Sequence, residues 1–154
     1  MQKNTFSLVE EEDLDKNSGF LMLRVSKLWE DTHERALKKY YDISYTQYAV
    51  LASINWLVLH GQNVTQIKLS KHTKISPMSI SQILKILEKK DYAYRVACID
   101  DVRAKCVLLT LKGKELVHQA FQVIYTVDEK FFNPFGENRQ KFNIYMAKLL
   151  SANE

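Results

Sequence analysis

Apolar residues recur at spacings of three and four along most of the chain, and this periodicity predicts a protein built mainly from helices. One amphipathic helix is predicted from residue 14 or 19 to residue 41. The next, 47–60, is apolar on nearly every side, which is typical of a helix at the centre of a core. Two more helices are predicted at 110–132 and 138–150, after the central third of the chain.

The central third begins with a short helical pattern that leads into a Lys-Ile-Ser-Pro turn. Thr65 is predicted to cap this helix, which takes Ile67 and Leu69 as its apolar positions and ends near Lys74. A short helix with a single apolar edge is expected to lie on the surface of a domain, with its remaining positions open to solvent.

A second helix, 76–89, follows the turn at once. Ser76 followed by Pro77 is a strong start signal, because serine caps free N–H groups and proline fits the first helical position. Apolar residues at i, i+3, i+4 and i+7 from Ile80 form one inward stripe. The opposite face is small, polar or basic and carries Met78, Ser79, Ser81, Gln82 and Lys85.

After residue 91 the helical period gives way to the pattern of strands. The runs 92–99 and 105–109 are β-prone and flank the polar turn 100–104, so they predict a β-hairpin. A short helix, a turn, a polar-faced helix and a hairpin with a cationic tip form, in this order, a winged helix-turn-helix. The predicted fold class is therefore mainly α with a small antiparallel β-wing, and the 154 residues fit a single domain, 1–154.

The charge distribution points to a polyanion as the partner. The formal net charge is +4; residues 65–112 hold 10 Lys/Arg and 4 Asp/Glu, a balance of +6, and the remainder holds 12 and 14, a balance of −2. Positive charge concentrated on one part of a domain is the electrostatic footprint expected on nucleic acid. No catalytic elbow or glycine-rich phosphate loop occurs in the sequence, so no enzyme activity and no cofactor are predicted.

Each part of the predicted motif has a role on double-stranded DNA. The second helix fits a major groove, where serine, glutamine and lysine can bond to base edges and methionine can touch a thymine methyl. Lysines of the first helix can neutralise phosphates, and a cationic hairpin tip suits the minor groove. The predicted DNA-binding residues are Lys68, Lys71, Lys74, Ser76, Pro77, Met78, Ser79, Ser81, Gln82, Lys85, Arg103 and Lys105.

Three blocks of the sequence resemble, in order and spacing, the MarR family of bacterial transcriptional regulators. They are ISYTQYAVL (43–51), TQIKLSKHTKISPMSISQILKILEKK (65–90) and VLLTLKGKEL (107–116). The resemblance implies a homodimeric regulator that binds pseudo-palindromic operators, a repressor relieved by a small aromatic effector or by oxidation. It also implies an N-terminal dimerisation helix (14–42), a DNA-binding lobe (43–112) and C-terminal dimerisation helices (113–154).

Two departures from the family pattern fall near the wing. Asp91 stands where the family commonly has glycine after the recognition helix, and aspartate tolerates the left-handed conformation that this turn requires. The usual Asp-x-Arg-Asp-x-Arg pattern is reduced to Asp101-Val-Arg103-Ala-Lys105. The resemblance therefore implies that Arg103 enters the minor groove and that Asp101 orients it.

Cys98 and Cys106 permit two interpretations. If the hairpin turn is centred on Val102, the two residues face each other within disulfide range and form a candidate redox pair. Alternatively they are two small apolar strand residues whose thiols stay reduced in a cytoplasmic protein, and cysteine usage favours this second interpretation. For the oxidation-sensing relatives, the resemblance implies a reactive cysteine early in the first helix, where this chain has none.

Several further expectations come from what the sequence lacks. No apolar run is long enough to span a bilayer and no secretory signal is recognisable, so the protein is expected in the cytoplasm. Glu30, His33 and Glu34 are expected to form a solvated charged face and not a metal site. The alternative function is a winged-helix module for protein–protein contact without an operator, which would require apolar residues on the outward face of helix 76–89.

Overall fold

The computed structural model describes residues 14–101 and 103–154, and all elements named below lie in these ranges. The acidic run 10–13 and the expected turn centre, Val102, fall outside them. The elements in chain order are α1 (Ser18–Tyr41), α2 (Tyr45–Leu59), α3 (Gln66–Thr73), α4 (Pro77–Lys89), β1 (Ala93–Ala97), β2 (Lys105–Leu109), α5 (Leu111–Phe132), a 3-10 helix (Asn133–Asn138) and α6 (Arg139–Ala152). The predicted fold class, mainly α with an antiparallel two-stranded wing, is confirmed.

Helix α2 is the centre of the hydrophobic core, as its all-round apolar pattern predicts. Val50, Leu51 and Ile54 are completely buried. The helix starts at a capping box: the Ser44 hydroxyl accepts the Gln47 N–H, and the Gln47 side chain accepts the Ser44 N–H. The pair satisfies two donors that a helix start otherwise leaves free. The beginning of α2 is thus set by local sequence, and its position by burial.

Helix α1 begins at Ser18, where the Asn17 side chain accepts the Phe20 N–H. Its apolar stripe does not face the core of its own chain, since Leu21, Val25 and Leu28 remain 39%, 44% and 61% exposed. The residues of α1 that are buried are His33 and Leu37. The expectation that His33 belongs to a solvated charged face is therefore wrong.

A buried aromatic cluster explains why His33 faces inward. Its Nδ1 lies 2.8 Å from the Trp29 carbonyl oxygen, and its Nε2 lies 3.1 Å from Oδ1 of Asp128 on α5. The same carboxylate oxygen accepts the Trp29 indole N–H at 2.8 Å. The ring of Tyr45 lies 4.8 Å from that of Trp29, and burial, with a contribution from Asp128, raises the pKa of Tyr45 well above its usual value. The cluster joins α1, α2 and α5.

The end of α4 docks directly on the start of α5; we call this contact, residues 90–92 against 110–113, the helix-end junction. Asp91 has the left-handed conformation, with φ of 59°, as predicted for its place in the turn. The Thr110 hydroxyl donates to the Asp91 carbonyl at 2.7 Å, and the Thr110 N–H donates to Tyr92 O at 3.1 Å. A Cβ at Gly113 would lie 2.0 Å from Tyr92 O, so the two backbones meet only because residue 113 has no side chain.

The wing forms, but its register differs from the predicted one. Val96, not Cys98, is the partner of Cys106, and Ala97 is the partner of Lys105. The N–H of Cys98, just beyond β1, donates to the Ala104 carbonyl, so the hairpin is centred on residue 101 and not on Val102. The prediction of directly opposed cysteines is wrong. The two cysteines are diagonal neighbours on one side of the hairpin, and at a Cα–Cα distance of 5.0 Å they are joined by a disulfide.

The helix-end junction makes a stability prediction for Gly113→Ala. Helix propensity alone would favour alanine by about 0.8–1 kcal/mol, but the new Cβ would overlap the Tyr92 carbonyl oxygen, which is backbone and cannot rotate away. We expect the steric cost to win, with a net destabilisation of about 1–3 kcal/mol. Urea denaturation followed by circular dichroism measures it, with Lys114→Ala at the exposed next position as the near-neutral control. A Gly113→Ala protein as stable as the wild type would contradict the proposed packing.

Candidate nucleic-acid interface

The turn between α3 and α4 is held by side-chain hydrogen bonds to the backbone. The Thr65 hydroxyl caps α3 by accepting the Lys68 N–H at 3.2 Å. The Ser70 hydroxyl donates to Ile75 O at 2.7 Å, and the Gln66 amide donates to Pro77 O at 3.0 Å. These bonds connect α3 to the turn and to the first residue of α4, so the two helices keep a fixed angle.

Helix α4 starts as predicted, with Ser76 as the cap and Pro77 at the first helical position. The Ser76 hydroxyl accepts the Ser79 N–H at 3.2 Å and lies 2.9 Å from the Ser79 hydroxyl. The predicted inward stripe is also confirmed, because Ile80, Leu84 and Leu87 have no exposed surface. On α3, by contrast, only one of the two predicted apolar positions is buried: Leu69 is in the core and Ile67 is 65% exposed.

The outward face of α4 is a narrow stripe of three side chains. Met78, 73% exposed, lies one turn before Gln82 and two turns before Lys85, and all three point to solvent. Ser79 and Ser81 flank the stripe and are half-buried. Because the Ser79 hydroxyl already bonds to the cap, Gln82 is better placed than either serine to reach a base edge. The exposed apolar side chains of α4 are Met78 and, at the margin of this face, Ile86. Two such residues among polar and basic ones do not favour the alternative of a protein–protein contact module.

The lysines predicted to contact phosphates lie along α3 and the turn. Lys71 and Lys74 are exposed, and Lys68 is half-buried. Lys74 has the left-handed conformation, with φ of 61°, and its amino group lies 2.8 Å from the Glu154 carboxylate. This ion pair is largely exposed and contributes little, so a phosphate can replace the carboxylate. The three lysines therefore form a cationic edge beside the start of α4.

The wing presents Arg103 and Lys105 to solvent on the far side of the motif. The Asp101 carboxylate accepts the backbone N–H of Arg103 at 2.9 Å, and the predicted role of Asp101 in orienting the Arg103 side chain stays a prediction. Within 14–101 and 103–154, no ion pair joins this carboxylate to the guanidinium. The bond closes a local turn and leaves the arginine side chain free for a partner.

One contact of the wing and two at the end of α4 join residues far apart in sequence. The sequence carries no signal for them. The Asn63 amide donates to the Asp100 carboxylate at 2.5 Å and ties the wing to the loop before α3. The Lys90 amino group donates to the Asp42 carbonyl at 2.6 Å and ties the end of α4 to the end of α1. From the other side, Lys112 donates to the Lys90 carbonyl at 2.9 Å. The recognition helix is thus connected to both α1 and α5.

The residues that the structure describes form neither a metal site nor a membrane-spanning helix. They contain no group of three or more metal-ligating side chains close enough to hold an ion. In the same part of the chain, no helix combines the length and hydropathy that crossing a bilayer would require.

A helix-turn-helix with a free polar stripe, a cationic edge and a β-wing defines a winged-helix protein of the DNA-binding class. The chain matches the family model described as "Transcriptional regulator SarA/Rot" over residues 33–120, and it belongs to that family. It is 31% identical over 114 residues to the uncharacterized HTH-type transcriptional regulator YdcH of Bacillus subtilis, covering 74% of this chain and 77% of YdcH. The prediction of a regulator and not an enzyme is confirmed.

Solved structures share the fold. A mutant MarR from E. coli complexed with operator DNA has a TM-score of 0.75 at 21% identity, covering 86% of this chain and 92% of that one. CouR from Rhodococcus jostii bound to p-coumaroyl-CoA has a TM-score of 0.78 at 22% identity, covering 90% and 93%. The MarR resemblance drawn from the sequence is confirmed: the chain is a MarR-like winged-helix regulator.

The proposed roles of α4 and of the lysines of α3 predict different effects of mutation on DNA binding. Gln82→Ala should cost about 1–3 kcal/mol on the preferred sequence and relax sequence preference, because it removes a group that reads base edges. Lys71→Ala should weaken binding to all sequences alike and flatten the salt slope by about one unit, because it removes one phosphate neutralisation. Fluorescence anisotropy on matched and scrambled duplexes measures both, with the exposed Lys148→Ala of α6 as control. Identical behaviour of the two variants would refute the assignment of readout to α4.

Proposed function

We propose that the protein is a homodimeric, sequence-specific regulator that binds double-stranded DNA at a pseudo-palindromic operator. Each protomer places α4 in a major groove and Arg103 in the adjacent minor groove, with the two half-sites about 34–36 Å apart. The observation that carries the proposal is the division of α4 into two faces. One is fully buried through Ile80, Leu84 and Leu87, and the other leaves Gln82 and Lys85 unoccupied. Such a helix is rigidly held and free to enter a groove.

A second copy of the chain is the proposed occupant of the remaining apolar surface. No residue of α6 is buried within the chain, and the apolar stripe of α1 is exposed as well. Large exposed apolar patches are rare on monomeric proteins and mark association sites. We therefore keep 14–42 and 113–154 as dimerisation segments and 43–112 as the DNA-binding lobe. The exposed apolar side chains involved are Leu21, Met22, Leu23, Val25, Leu28, Ile144, Tyr145, Leu149 and Leu150.

Repression in the cytoplasm, relieved by a small anionic aromatic effector, is the proposed mode of action. A groove of about 430 Å³ lies where the end of α1 meets Tyr92 and the start of α5. Lysine ammonium groups in it, such as Lys39, would pair with a carboxylate, and the rings of Tyr40 and Tyr41 would stack on an aromatic group. CouR binds p-coumaroyl-CoA, an aromatic acyl-CoA, and this supports a ligand site in the shared fold. The groove adjoins the helix-end junction, so an occupant would change the angle of α4.

The proposed function is tested with the full chain and the DNA upstream of its own gene. Sedimentation should give a mass of about twice the 18.0 kDa chain. In shift assays, three lysine contacts from each protomer should make log K fall with log salt at a slope of roughly −5. A strictly monomeric protein, or one that ignores DNA even at low salt, would refute the proposal. A Leu149→Asp variant should lose both dimer and operator binding, whereas the exposed Lys148→Asp should keep both.

The effector proposal predicts a response to a hydroxybenzoate probe. Millimolar hydroxybenzoate should lower operator affinity of the wild type, because an anion in the groove pairs with its lysines. Lys39→Ala should bind the operator normally and respond at higher probe concentrations, whereas Lys148→Ala should respond like the wild type. Operator affinity that is unchanged by the probe, or equal responses of Lys39→Ala and the wild type, would contradict it.

A further inference from the structure

The wing contains a covalent link that the proposed function does not use. Cys98 and Cys106 form a disulfide that encloses residues 99–105, and this segment holds both Asp101 and Arg103. Both cysteines are only 5% exposed. Their Cα–Cα distance of 5.0 Å lies inside the range that disulfides require.

The disulfide links the wing tip to the most firmly held part of the hairpin. The Val107 N–H donates to Val64 O at 2.8 Å, and Cys106 pairs with Thr65 in an isolated bridge. Thr65 is the cap of α3, so β2 is attached to the helix-turn-helix itself. Cys98 lies beyond the last residue of β1, and its neighbour Ile99 is 92% exposed. Without the S–S bond, the tip would be held by hydrogen bonds alone, such as Cys98 N–H to Ala104 O at 3.0 Å.

The chemistry of the pair fits reversible oxidation. Reducing compartments keep most protein thiols reduced, and the disulfides that do form there are mostly transient and redox-sensing. Cys98 is next to the exposed tip, so a local opening of the hairpin end brings its sulfur to solvent. Cys106 stays within reach on the anchored strand and can act as the resolving thiol.

We propose that Cys98 and Cys106 are a thiol–disulfide site that reports hydroperoxides to the DNA-binding wing. A hydroperoxide ROOH oxidises the Cys98 thiol to a sulfenic acid: the O–O bond breaks, one oxygen is transferred to sulfur, and the thiol proton leaves with the other as ROH. The Cys106 thiol then attacks the sulfenic sulfur, the S–S bond forms and water leaves. Two electrons pass from the two sulfurs to the peroxide, and a dithiol reductant reverses the change. The proposal rests on the proposed function, because its output is operator affinity.

Preorganisation of the wing predicts whether oxidation strengthens or weakens operator binding. Arg103 must be fixed to occupy a minor groove, and the bond closes the short segment that carries it. Oxidation removes conformations of the free wing that binding would otherwise have to order. The oxidised protein therefore binds its operator more tightly than the reduced one, by roughly three- to ten-fold.

The test compares the two redox states of the full chain. Protein reduced with dithiothreitol and protein treated with one equivalent of cumene hydroperoxide are alkylated and weighed by mass spectrometry, then titrated with operator DNA without air. Two alkylated thiols are expected in the reduced protein and none in the oxidised protein, which should bind more tightly. The Cys98→Ser variant should remain at the reduced affinity after peroxide treatment. Arg103→Ala should form the disulfide but show no dependence of affinity on it.

The possible results test three claims separately: the thiol–disulfide site, the preorganisation mechanism and the proposed function. Free thiols after peroxide treatment overturn the site, and equal or weaker binding by the oxidised protein overturns the preorganisation mechanism. Absence of operator binding in both states overturns the proposed function itself. Redox-dependent binding that persists in Arg103→Ala would assign the effect to a part of the wing other than its arginine, and it would refute preorganisation of Arg103 as the cause.

Discussion

The packing of the end of α4 on the start of α5 determines where the recognition helix points. The contact is made between backbones: Thr110 N–H donates to Tyr92 O, and Gly113 leaves the space into which that carbonyl fits. The left-handed turn at Asp91 brings the chain into position for it. Because Ile80, Leu84 and Leu87 on the inner face of α4 are fully buried, a change at this junction would rotate the helix as a rigid unit. The angle between α3 and α4 is set by the bonds of their own turn, and the helix-end junction sets how α4 lies relative to α5.

Connections from this junction reach the helices of the proposed dimer interface. Lys90 bonds to the Asp42 carbonyl at the end of α1, and Lys112 bonds to the Lys90 carbonyl from α5. The His33, Trp29 and Asp128 contacts join α1 to α5 farther along. A movement of the outer helices is therefore transmitted to α4 through short, specific contacts. In a dimer on DNA this matters, since the duplex fixes the separation of the two recognition helices.

The features that could be predicted from the sequence are those that depend on residues close together in the chain. The caps at Thr65 and Ser76 and the inward stripe of α4 depend on residues within one or two turns, and all are confirmed. The β-prone runs predicted the wing, and the family resemblance added the left-handed turn at Asp91. Together these placed the helix-turn-helix and its outward face correctly, although the roles of individual side chains on DNA remain predictions.

What could not be predicted depends on contacts between distant segments. His33 is buried because Asp128, 95 positions later, supplies its partner. The apolar stripe of α1 is exposed within the chain, since periodicity shows that a face is apolar but not what covers it. The predicted partner of Cys106 was wrong by two residues, because turn composition alone does not determine which residues pair. The cysteines came together in spite of that error, as diagonal neighbours.

The central claim is that two copies of this helix-turn-helix are held at a separation that matches one turn of a duplex. It is tested by measuring affinity for an operator in which about five base pairs, half a helical turn, are inserted between the half-sites. The second half-site then lies on the opposite side of the DNA, and affinity should fall to that of a single half-site. Unchanged affinity for the separated half-sites would contradict the account.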